Sequence, residues 1–146
     1  MNAADLNRVH EIAEGLKEAP HWPVSAYVAA IDPENTPRRI ALVATDQDDE
    51  TPKGFLVASL LPPEAELETV AVAAQGQRRG VGARLLQALT EELRAEQASR
   101  LILEVRASNL AAMELYRAHG FEEMGRRPRY YADPEEDAVL MSLNLV

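Results

Sequence analysis

The stretch Gln77-Arg78-Arg79-Gly80-Val81-Gly82-Ala83 decides the fold, because one kind of sequence pattern replaces another at this point. Residues 66–72, before it, include the β-branched residues Thr69, Val70 and Val72, which favour a β-strand. In residues 80–97, leucines recur on one face at three- and four-residue spacing, which predicts an amphipathic α-helix. The stretch is therefore predicted to be a turn that joins a strand to the start of a helix.

This turn also has the chemistry of an anion site. The first turn of a helix has backbone N–H groups without intrahelical partners and carries the positive end of the helix dipole. Gly80 and Gly82 let that backbone approach an anion closely. Three arginines add positive charge nearby, namely Arg78, Arg79 and Arg84. We therefore predict a pyrophosphate-binding turn, with a glycine-rich helix start that binds no ligand as the alternative.

Two other nucleotide-binding motifs are excluded by residue type. A dinucleotide-binding fingerprint needs a third glycine at position 85, which is Leu85. A P-loop needs Gly-Lys followed by Ser or Thr, and that tripeptide does not occur in the chain.

The rest of the chain supplies helices and strands on both sides of this turn. Upstream we predict a helix at 5–16 and a second at 25–30, for which a strand is the alternative. Strands follow at 39–45 and 54–61, with a solvated hairpin loop at 46–50 between them. Downstream we predict a strand at 101–106, a helix at 110–119 ended by Gly120, and strands from Phe121 and over 138–145 around the loop 133–136. Antiparallel hairpins thus lead into a strand-helix-strand-helix unit, whose two strands should be parallel. The predicted class is α+β, a mixed central sheet covered by helices, in a single domain over residues 1–146.

Composition narrows the class of protein. The chain has 146 residues, of which 47% are hydrophobic and 27% charged, which suits one globular core. It contains no apolar run of about 18 residues, and its N-terminus has no basic region followed by an apolar one. We therefore expect a cytoplasmic protein without a signal peptide or a membrane partner.

Residue types also limit the chemistry. The absence of cysteine excludes disulfides, thiolate zinc sites and cysteine nucleophiles. The three histidines, His10, His21 and His119, lie far apart in the sequence, so no metal site is predicted.

The net charge of −9 disfavours nucleic acid as a partner, because phosphate neutralisation needs a basic surface. It suits a cationic substrate such as an amine, with solubility alone as the alternative explanation. Nothing in the sequence specifies an oligomeric state.

Two polar residues downstream of the turn are candidates for chemistry. Alternation in residues 101–106 places Glu104 on one strand face with Ile102 and Arg106. A strand inside a parallel unit is normally covered by helices on both faces. A buried carboxylate there needs a hydrogen-bonding or ionic partner, or else it has a functional role. Tyr116 lies about two turns into the following helix. A solvated strand face for the glutamate and a core position for the tyrosine are the alternatives.

These motifs resemble a known family. The turn matches the Gln/Arg-x-x-Gly-x-Gly/Ala coenzyme A signature of the GNAT acyltransferases, and the preceding strand and following helix match that family's order. Several downstream stretches resemble one group within it, the bacterial ribosomal-protein alanine N-acetyltransferases. They are Glu104-Val105-Arg106-Ala107-Ser108-Asn109, Leu115-Tyr116, Gly120-Phe121, Arg126-Arg127-Pro128-Arg129-Tyr130-Tyr131 and Asp137-Ala138-Val139-Leu140-Met141. The resemblance runs from about residue 66 to the C-terminus; before that, Trp22, Pro23 and Ser25 match only loosely.

The resemblance implies roles for individual residues. It implies that Glu104 is the general base, that Tyr116 is the general acid, and that Asn109 binds the cofactor arm. The pantetheine arm of acetyl-coenzyme A would lie along Val70, Ala71 and Val72. The pyrophosphate would be held by Gln77, Arg78, Arg79, Gly80, Val81, Gly82 and Ala83. Tyr130 and Tyr131 would lie on the loop that grips the acceptor.

The residue types suit this chemistry. An ammonium cannot attack a thioester, so a base must first remove a proton, and an α-amine with a pKa of about 7.7–8.0 needs only a weak base. Tyrosine has a pKa near about 10 and stays protonated at neutral pH, so it can donate to a departing thiolate. Direct transfer needs no covalent enzyme intermediate, which agrees with the lack of cysteine.

A second position competes for the role of base. Glu66 and Glu68 are predicted to share a strand face that leads to Val70 and Val72. Many other GNAT enzymes have their catalytic glutamate at the position that Glu66 occupies here. We therefore rank Glu104 first, Glu66 second, also as an acceptor-binding residue, and Glu68 third.

The sequence thus predicts an enzyme that transfers acetyl from acetyl-coenzyme A to a primary amine. The resemblance favours a protein N-terminus, such as that of a ribosomal protein beginning with alanine. A small-molecule amine or a lysine side chain is the alternative acceptor. A non-catalytic acyl-coenzyme A sensor, or an interaction domain without a cofactor, is the alternative class.

Overall fold

The computed structural model describes residues 1–17, 19–46, 49–74, 77, 80–132 and 134–146. A short 3₁₀ turn at Ala3–Asp5 precedes the first helix. The helices are α1 (Leu6–Glu14), α2 (Val24–Ile31), α3 (Val81–Ala95) and α4 (Leu110–Ala118). The strands are β1 (Arg39–Asp46), β2 (Asp49–Leu61), β3 (Glu64–Val72), β4 (Arg100–Arg106), β5 (Glu122–Tyr131) and β6 (Glu136–Asn144). The predicted helices and strands are all present, with ends shifted by a few residues.

The strands form one mixed sheet in the order β1-β2-β3-β4-β6-β5. Every neighbouring pair is antiparallel except β3 and β4, which are parallel. Because α3 connects these two strands, the predicted parallel strand-helix-strand unit is confirmed, and so is the α+β class.

The two parallel strands stay paired only at one end. Their register covers Glu64 to Glu66 of β3 against Arg100 to Ile102 of β4. Beyond these residues β3 continues to Val72 and β4 to Arg106 without pairing with each other. The sheet therefore opens into a gap between the carboxyl halves of β3 and β4.

A β-bulge changes which face β3 presents. Val57 of β2 pairs with Thr69, but the next residue pairs with Leu67, so Glu68 is left over in β3. Ala65 and Leu67 before the bulge, and Val70 after it, pack on the same core. The prediction that Glu66 and Glu68 share a face with Val70 and Val72 is therefore wrong, because the extra residue reverses the alternation.

Each face of the sheet carries its own core. On one face α3 and α4 cover the sheet, with Leu86, Leu89 and Leu101 fully buried. On the other face α1 and α2 pack against β1 to β3, around the buried residues Tyr27 and Phe55. The helices on this second face pack mainly against β1, β2 and β3, and the β4 residues on this face, Ile102, Glu104 and Arg106, are half-buried.

The first hairpin also differs from its prediction. The segment 46–50 was expected to be a loop, yet β1 ends at Asp46 and β2 begins at Asp49, and these two residues are paired. Pairing continues through a bulge near Thr45 because the ladder supplies backbone hydrogen bonds that override an acidic composition.

Among the helices described, none has the length and apolar character needed to cross a membrane.

Candidate active site

A cleft of about 910 Å³ lies where β3 and β4 separate. Its walls come from β3, from the start of α3, from the end of β4 and from α4. Tyr131 and the connection between α1 and α2 complete the lining. The tertiary structure thus brings most of the sequence-predicted site residues to one place. Those in the lining are Val70, Ala71, Val72, Gln77, Gly80, Val81, Gly82, Ala83, Glu104, Asn109, Tyr116 and Tyr131.

The start of α3 leaves its backbone donors without a side-chain cap. Gly80 is the N-cap residue and has a φ of 76° and a ψ of 13°, a left-handed conformation that favours glycine. Among the described residues no side chain caps the helix, and its first turn contains no acidic residue. The N–H groups of this turn are therefore available to an anion in the cleft.

Gly82 serves a different purpose from Gly80. A Cβ atom added at Gly82 would lie 3.0 Å from Cδ2 of Leu115, so the missing side chain lets α3 approach α4 closely. Glycine is therefore favoured at position 80 by the backbone conformation and at position 82 by the lack of space for a side chain. Arg78 and Arg79, the predicted arginines of the turn, lie outside the described residues.

The residues of β3 that follow the bulge face the two sides of the sheet differently. Val70 and Val72 are half-buried and pack towards α3 and α4, whereas Ala71 is buried on the α1 and α2 side. Gln77 holds the turn against this strand, because its Nε2 donates a hydrogen bond to the Val72 carbonyl oxygen at 3.1 Å.

Asn109 is the N-cap of α4. Its Oδ1 accepts a hydrogen bond from the Ala112 N–H at 3.2 Å, which satisfies one of the free donors of the first turn. The side-chain oxygen is therefore engaged in a structural role, while the residue itself lines the cleft.

Tyr116 is largely buried, with 6% of its surface exposed. Its ring packs on Phe121 with the ring centroids 5.6 Å apart. Burial raises the pKa of the Tyr116 hydroxyl, and the proximity of Tyr131 raises this pKa further. The hydroxyl is therefore a proton donor that stays protonated at any physiological pH.

Glu104 lies on the face of β4 opposite to the one that packs under α3 and α4. Its side chain is half-buried and lines the cleft. Oε1 of Glu104 lies 3.3 Å from Nε of Arg127, an exposed residue of β5. The carboxylate thus has one exposed, displaceable partner and one side open to the cleft.

The other two candidate glutamates have different surroundings. Glu68, which also lines the cleft, accepts hydrogen bonds from Arg39 at 2.8 and 3.4 Å, and both side chains are mostly buried. Glu66 is half-buried but is not in the cleft lining as far as the described residues show. Burial raises the pKa of Glu66, as do the negative charges of Glu68 and Glu104, while Arg127 lowers it.

The two predicted acceptor-loop tyrosines are at the end of β5. Tyr131 lines the cleft, and its ring lies 4.4 Å from the Cζ atom of Arg106. Burial and the charge of Glu104 raise the pKa of Tyr131. Tyr130 is 51% exposed, contacts Tyr131 edge-on and stands outside the cleft lining in the described structure.

Sequence reasoning missed residues that line the cleft. Thr69 is buried, and its Oγ1 has no hydrogen-bond partner among the described residues. Leu16, Lys17, Ala19 and Pro20 come from the connection between α1 and α2. Strand periodicity could not find Thr69, because the bulge beside it reverses the faces. In the parts of the chain that the structure describes, no group of three or more Asp, Glu, His or Cys residues is placed to hold a metal ion.

Comparison with known proteins identifies the class to which this fold and site belong. The family model of the Acetyltransferase (GNAT) family matches residues 6–121. The chain therefore belongs to the GNAT acetyltransferase family.

Within that family the chain is similar to proteins named for one activity. It is 42% identical over 97 residues to "[Ribosomal protein bS18]-alanine N-acetyltransferase" of Salmonella typhimurium, an alignment that covers 65% of this chain and 66% of the relative. The first relatives are thus matched over slightly less than two thirds of their own length.

Solved structures give a fuller match. The crystal structure of the ribosomal-protein-S18-alanine N-acetyltransferase from Escherichia coli has a TM-score of 0.86 and 32% identity, and covers 99% of this chain and 90% of that one. A chain of the NatC complex bound to Gag peptide and CoA has a TM-score of 0.83 and 25% identity, covering 99% of this chain and 93% of that chain.

Proposed function

We propose that this protein transfers the acetyl group of acetyl-coenzyme A directly to the α-amine of a protein N-terminus. One observation carries the proposal: a single cleft joins the uncapped, glycine-containing start of α3 to both Glu104 and Tyr116. An anion site and a proton-transfer pair in one cleft suit a phosphate-bearing acyl donor and an amine acceptor.

The cleft fits coenzyme A by its chemistry. The start of α3 offers N–H groups of its first turn where a pyrophosphate needs donors, with Gly80 in the left-handed conformation at the helix N-cap. Val70, Ala71 and Val72 present strand backbone at the gap between β3 and β4, where an extended pantetheine arm can lie. Asn109 and Gln77 belong to the same lining. The proposed holding set also includes Arg78, Arg79, Val81, Gly82 and Ala83.

Glu104 is the proposed general base. An acceptor ammonium that enters from the face of β4 opposite to α3 and α4 meets this half-buried carboxylate at the cleft. Because the pKa of an α-amine is about 7.7–8.0, a carboxylate acting directly or through one water removes its proton at modest cost.

Tyr116 is the proposed general acid. Its raised pKa keeps the hydroxyl protonated, so that it can donate a hydrogen bond to the sulfur of the departing thiolate and share its proton in the transition state. The chain has no cysteine, so we propose that the acetyl group passes to the amine without an acetyl-enzyme. Trapping an acetylated form of the protein in the absence of acceptor would refute direct transfer.

The acceptor is proposed to be an N-terminal alanine of a small-subunit ribosomal protein. Two similarities support this class, since both the Salmonella typhimurium relative and the Escherichia coli structure are named for alanine acetylation of a ribosomal protein. Three carboxylates near the gap, Glu66, Glu68 and Glu104, favour a cationic amine over an anionic acceptor. Tyr130 and Tyr131 are proposed to contact the acceptor peptide, with Glu66 binding its ammonium.

The test is acetyl transfer to a panel of acceptors, followed by mass spectrometry. The panel contains peptides beginning with alanine, serine or methionine, N-blocked lysine peptides and polyamines. Label on the α-amine of the alanine peptides is the expected result. Label only on lysine or polyamines would replace the proposed acceptor, and no label despite coenzyme A binding would favour a sensor.

The assignment of the base is tested by matched substitutions. Glu104→Gln is expected to lower kcat by about 100-fold or more, because it removes the proton acceptor while keeping the shape of the side chain. Glu68→Gln, in a carboxylate already held by Arg39, is expected to change kcat far less. If Glu66→Gln abolishes turnover while Glu104→Gln does not, Glu66 is the base instead.

A further inference from the structure

Arg106 follows Glu104 by two residues on β4, so the alternation of the strand puts both side chains on the same face. Its guanidinium reaches the connection between β5 and β6. One amino group, Nη1, donates to the Pro134 carbonyl oxygen at 3.2 Å, and the other, Nη2, donates to the Ala132 carbonyl oxygen at 3.3 Å. One side chain of β4 therefore donates hydrogen bonds to two carbonyl groups of this connection.

The same guanidinium makes two further contacts. Nη1 lies 3.5 Å from Oε1 of Glu136, whose side chain is only 15% exposed. The Cζ atom lies 4.4 Å from the centre of the Tyr131 ring, the geometry of a cation–π contact. Arg106 thus contacts the last residue of β5, the first residue of β6 and the carbonyl groups of Ala132 and Pro134.

Tyr131 is the residue that this arrangement places in the cleft. It belongs to the lining, and its neighbourhood includes the charges of Glu104 and Glu136 as well as the ring of Tyr130. It also lies near enough to Tyr116 to affect that hydroxyl. The position of the Tyr131 ring therefore sets the shape of the cleft next to both proposed catalytic residues.

We propose that Arg106 is a positioning residue for the acceptor: it clamps the β5–β6 connection so that Tyr131 forms a wall of the acceptor end of the cleft. This inference rests on the proposed acetyl transfer to an amine. Only arginine suits the role, because its planar fork can donate to two carbonyl oxygens while its face covers an aromatic ring.

Steady-state kinetics of Arg106→Gln test the proposal, with an alanine-initiated peptide and acetyl-coenzyme A. The KM for the peptide is expected to rise about tenfold, the usual scale for losing hydrogen bonds to a charged group. The kcat and the coenzyme A Kd are expected to stay within about twofold. An unchanged KM for the peptide, with or without a fall in kcat, would overturn the proposal. A loss of coenzyme A affinity as large as the rise in KM would also overturn it.

A second variant separates the effect of the planar guanidinium geometry of Arg106 from the effect of its positive charge. Arg106→Lys keeps one positive group but cannot reach both carbonyl oxygens and cover the ring, so its KM is expected to remain several-fold raised. A KM equal to that of the wild type would contradict the clamp. Arg126→Gln is the matched control, because Arg126 is an exposed arginine of β5 that pairs with Glu123. Failure of the wild type to acetylate any peptide would instead reject the proposed function.

Discussion

At the scale of single residues, the buried hydroxyl group of Tyr116 links this structure most directly to catalysis. Tyr116 is buried against Phe121, yet it lines the cleft, and burial raises its pKa. A second tyrosine provides an internal comparison. Tyr27 is fully buried among Trp22 and Phe55, its pKa is also raised by burial, and its hydroxyl has no partner among the described residues. Only the first of the two lines the cleft.

We therefore predict that Tyr116→Phe separates activity from stability. The kcat should fall by about 100-fold, since a positioned general acid contributes on that scale, while the free energy of unfolding changes by less than about 1 kcal/mol. Tyr27→Phe is the control and should leave kcat unchanged. Steady-state kinetics and urea denaturation provide the two measurements. Equal losses of kcat in both variants would point to a packing effect.

At the scale of elements, the approach of β2 to α3 depends on a single glycine. A Cβ atom added at Gly54 would lie 2.9 Å from Cγ1 of Val81 and 3.0 Å from the backbone oxygen of Ala71. The second of these atoms belongs to backbone and cannot move independently. Because Val81 is the first residue of α3, this contact also sets where the proposed pyrophosphate turn stands relative to the sheet.

Gly54→Ala is accordingly predicted to destabilise the fold by about 1–3 kcal/mol through overpacking. The same change should raise the coenzyme A Kd, since the start of α3 must shift to make room. Gly125→Ala in β5 is the matched control, because the nearest atom to its added Cβ, Cδ1 of Leu140, is 4.0 Å away. Its cost should stay within about 0.5 kcal/mol. Chemical denaturation measures the stability of the two variants, and calorimetric titration measures their coenzyme A Kd.

A hydrogen bond between helices links α3 to the end of α4. The Thr90 hydroxyl donates to the Leu86 carbonyl oxygen at 2.7 Å, so its oxygen accepts from Nε2–H of His119 at 2.9 Å. Burial lowers the pKa of His119, and the charge of Arg94 lowers it further. The folded protein thus binds a proton at this ring less readily than the unfolded chain, in which the histidine pKa is about 6.5.

This linkage predicts a pH dependence of stability. Above a pH of about 6.5 the ring is neutral in both states and its full contribution to stability is present. As the pH falls below about 6.5, the unfolded state takes up the proton first, so stability declines until the folded pKa is reached. His119→Gln should flatten the slope of unfolding free energy between pH 5 and 7. His21→Gln, at an exposed ring, is the control, and an unaltered slope in His119→Gln would contradict the assignment.

At the scale of the whole molecule, the separation of β3 from β4 creates the cleft. Backbone groups of β3 beyond Glu66 have no partner in β4, although β2 still pairs with the other edge of the strand. Unpaired strand groups of this kind are suited to bind an extended ligand by adding to the sheet edge.

Saturating coenzyme A should therefore slow amide hydrogen exchange in residues 68–72 by several-fold, with little change in the paired segment 55–60 of β2. Binding at 100 times the Kd adds about 2.7 kcal/mol of global stability, so the comparison needs conditions in which exchange occurs by local opening. An increase in Tm without local protection of β3 would mean that the ligand binds elsewhere.

Much of the fold could be predicted because its signals are local. Helical spacing of leucines specified α3, alternation specified β4, and the two glycines located the turn between β3 and α3. The same alternation puts Glu104 and Leu103 on different faces of β4, and Leu103 is indeed buried in the core under α3 and α4. Each of these features depends on residues within a few positions of one another, so side-chain periodicity is sufficient to predict it.

Other features depended on residues far apart in the chain. The bulge at Glu68 arises from its register with β2, and it reversed the predicted face of Glu66 relative to Val70. The pairing of Asp46 with Asp49 extends the strands of the β1–β2 hairpin into the segment that was predicted to be its loop.

By itself, the sequence determined the order of helices and strands, the class of the fold and the identity of the candidate catalytic residues. Only the tertiary structure decided that β3 and β4 part after Ile102, that Tyr131 reaches the cleft, and that Arg106 holds the connection beside it. The reason is physical: side-chain periodicity is written along one segment, whereas strand register, bulges and clamps result from the packing of segments that meet only when the chain is folded.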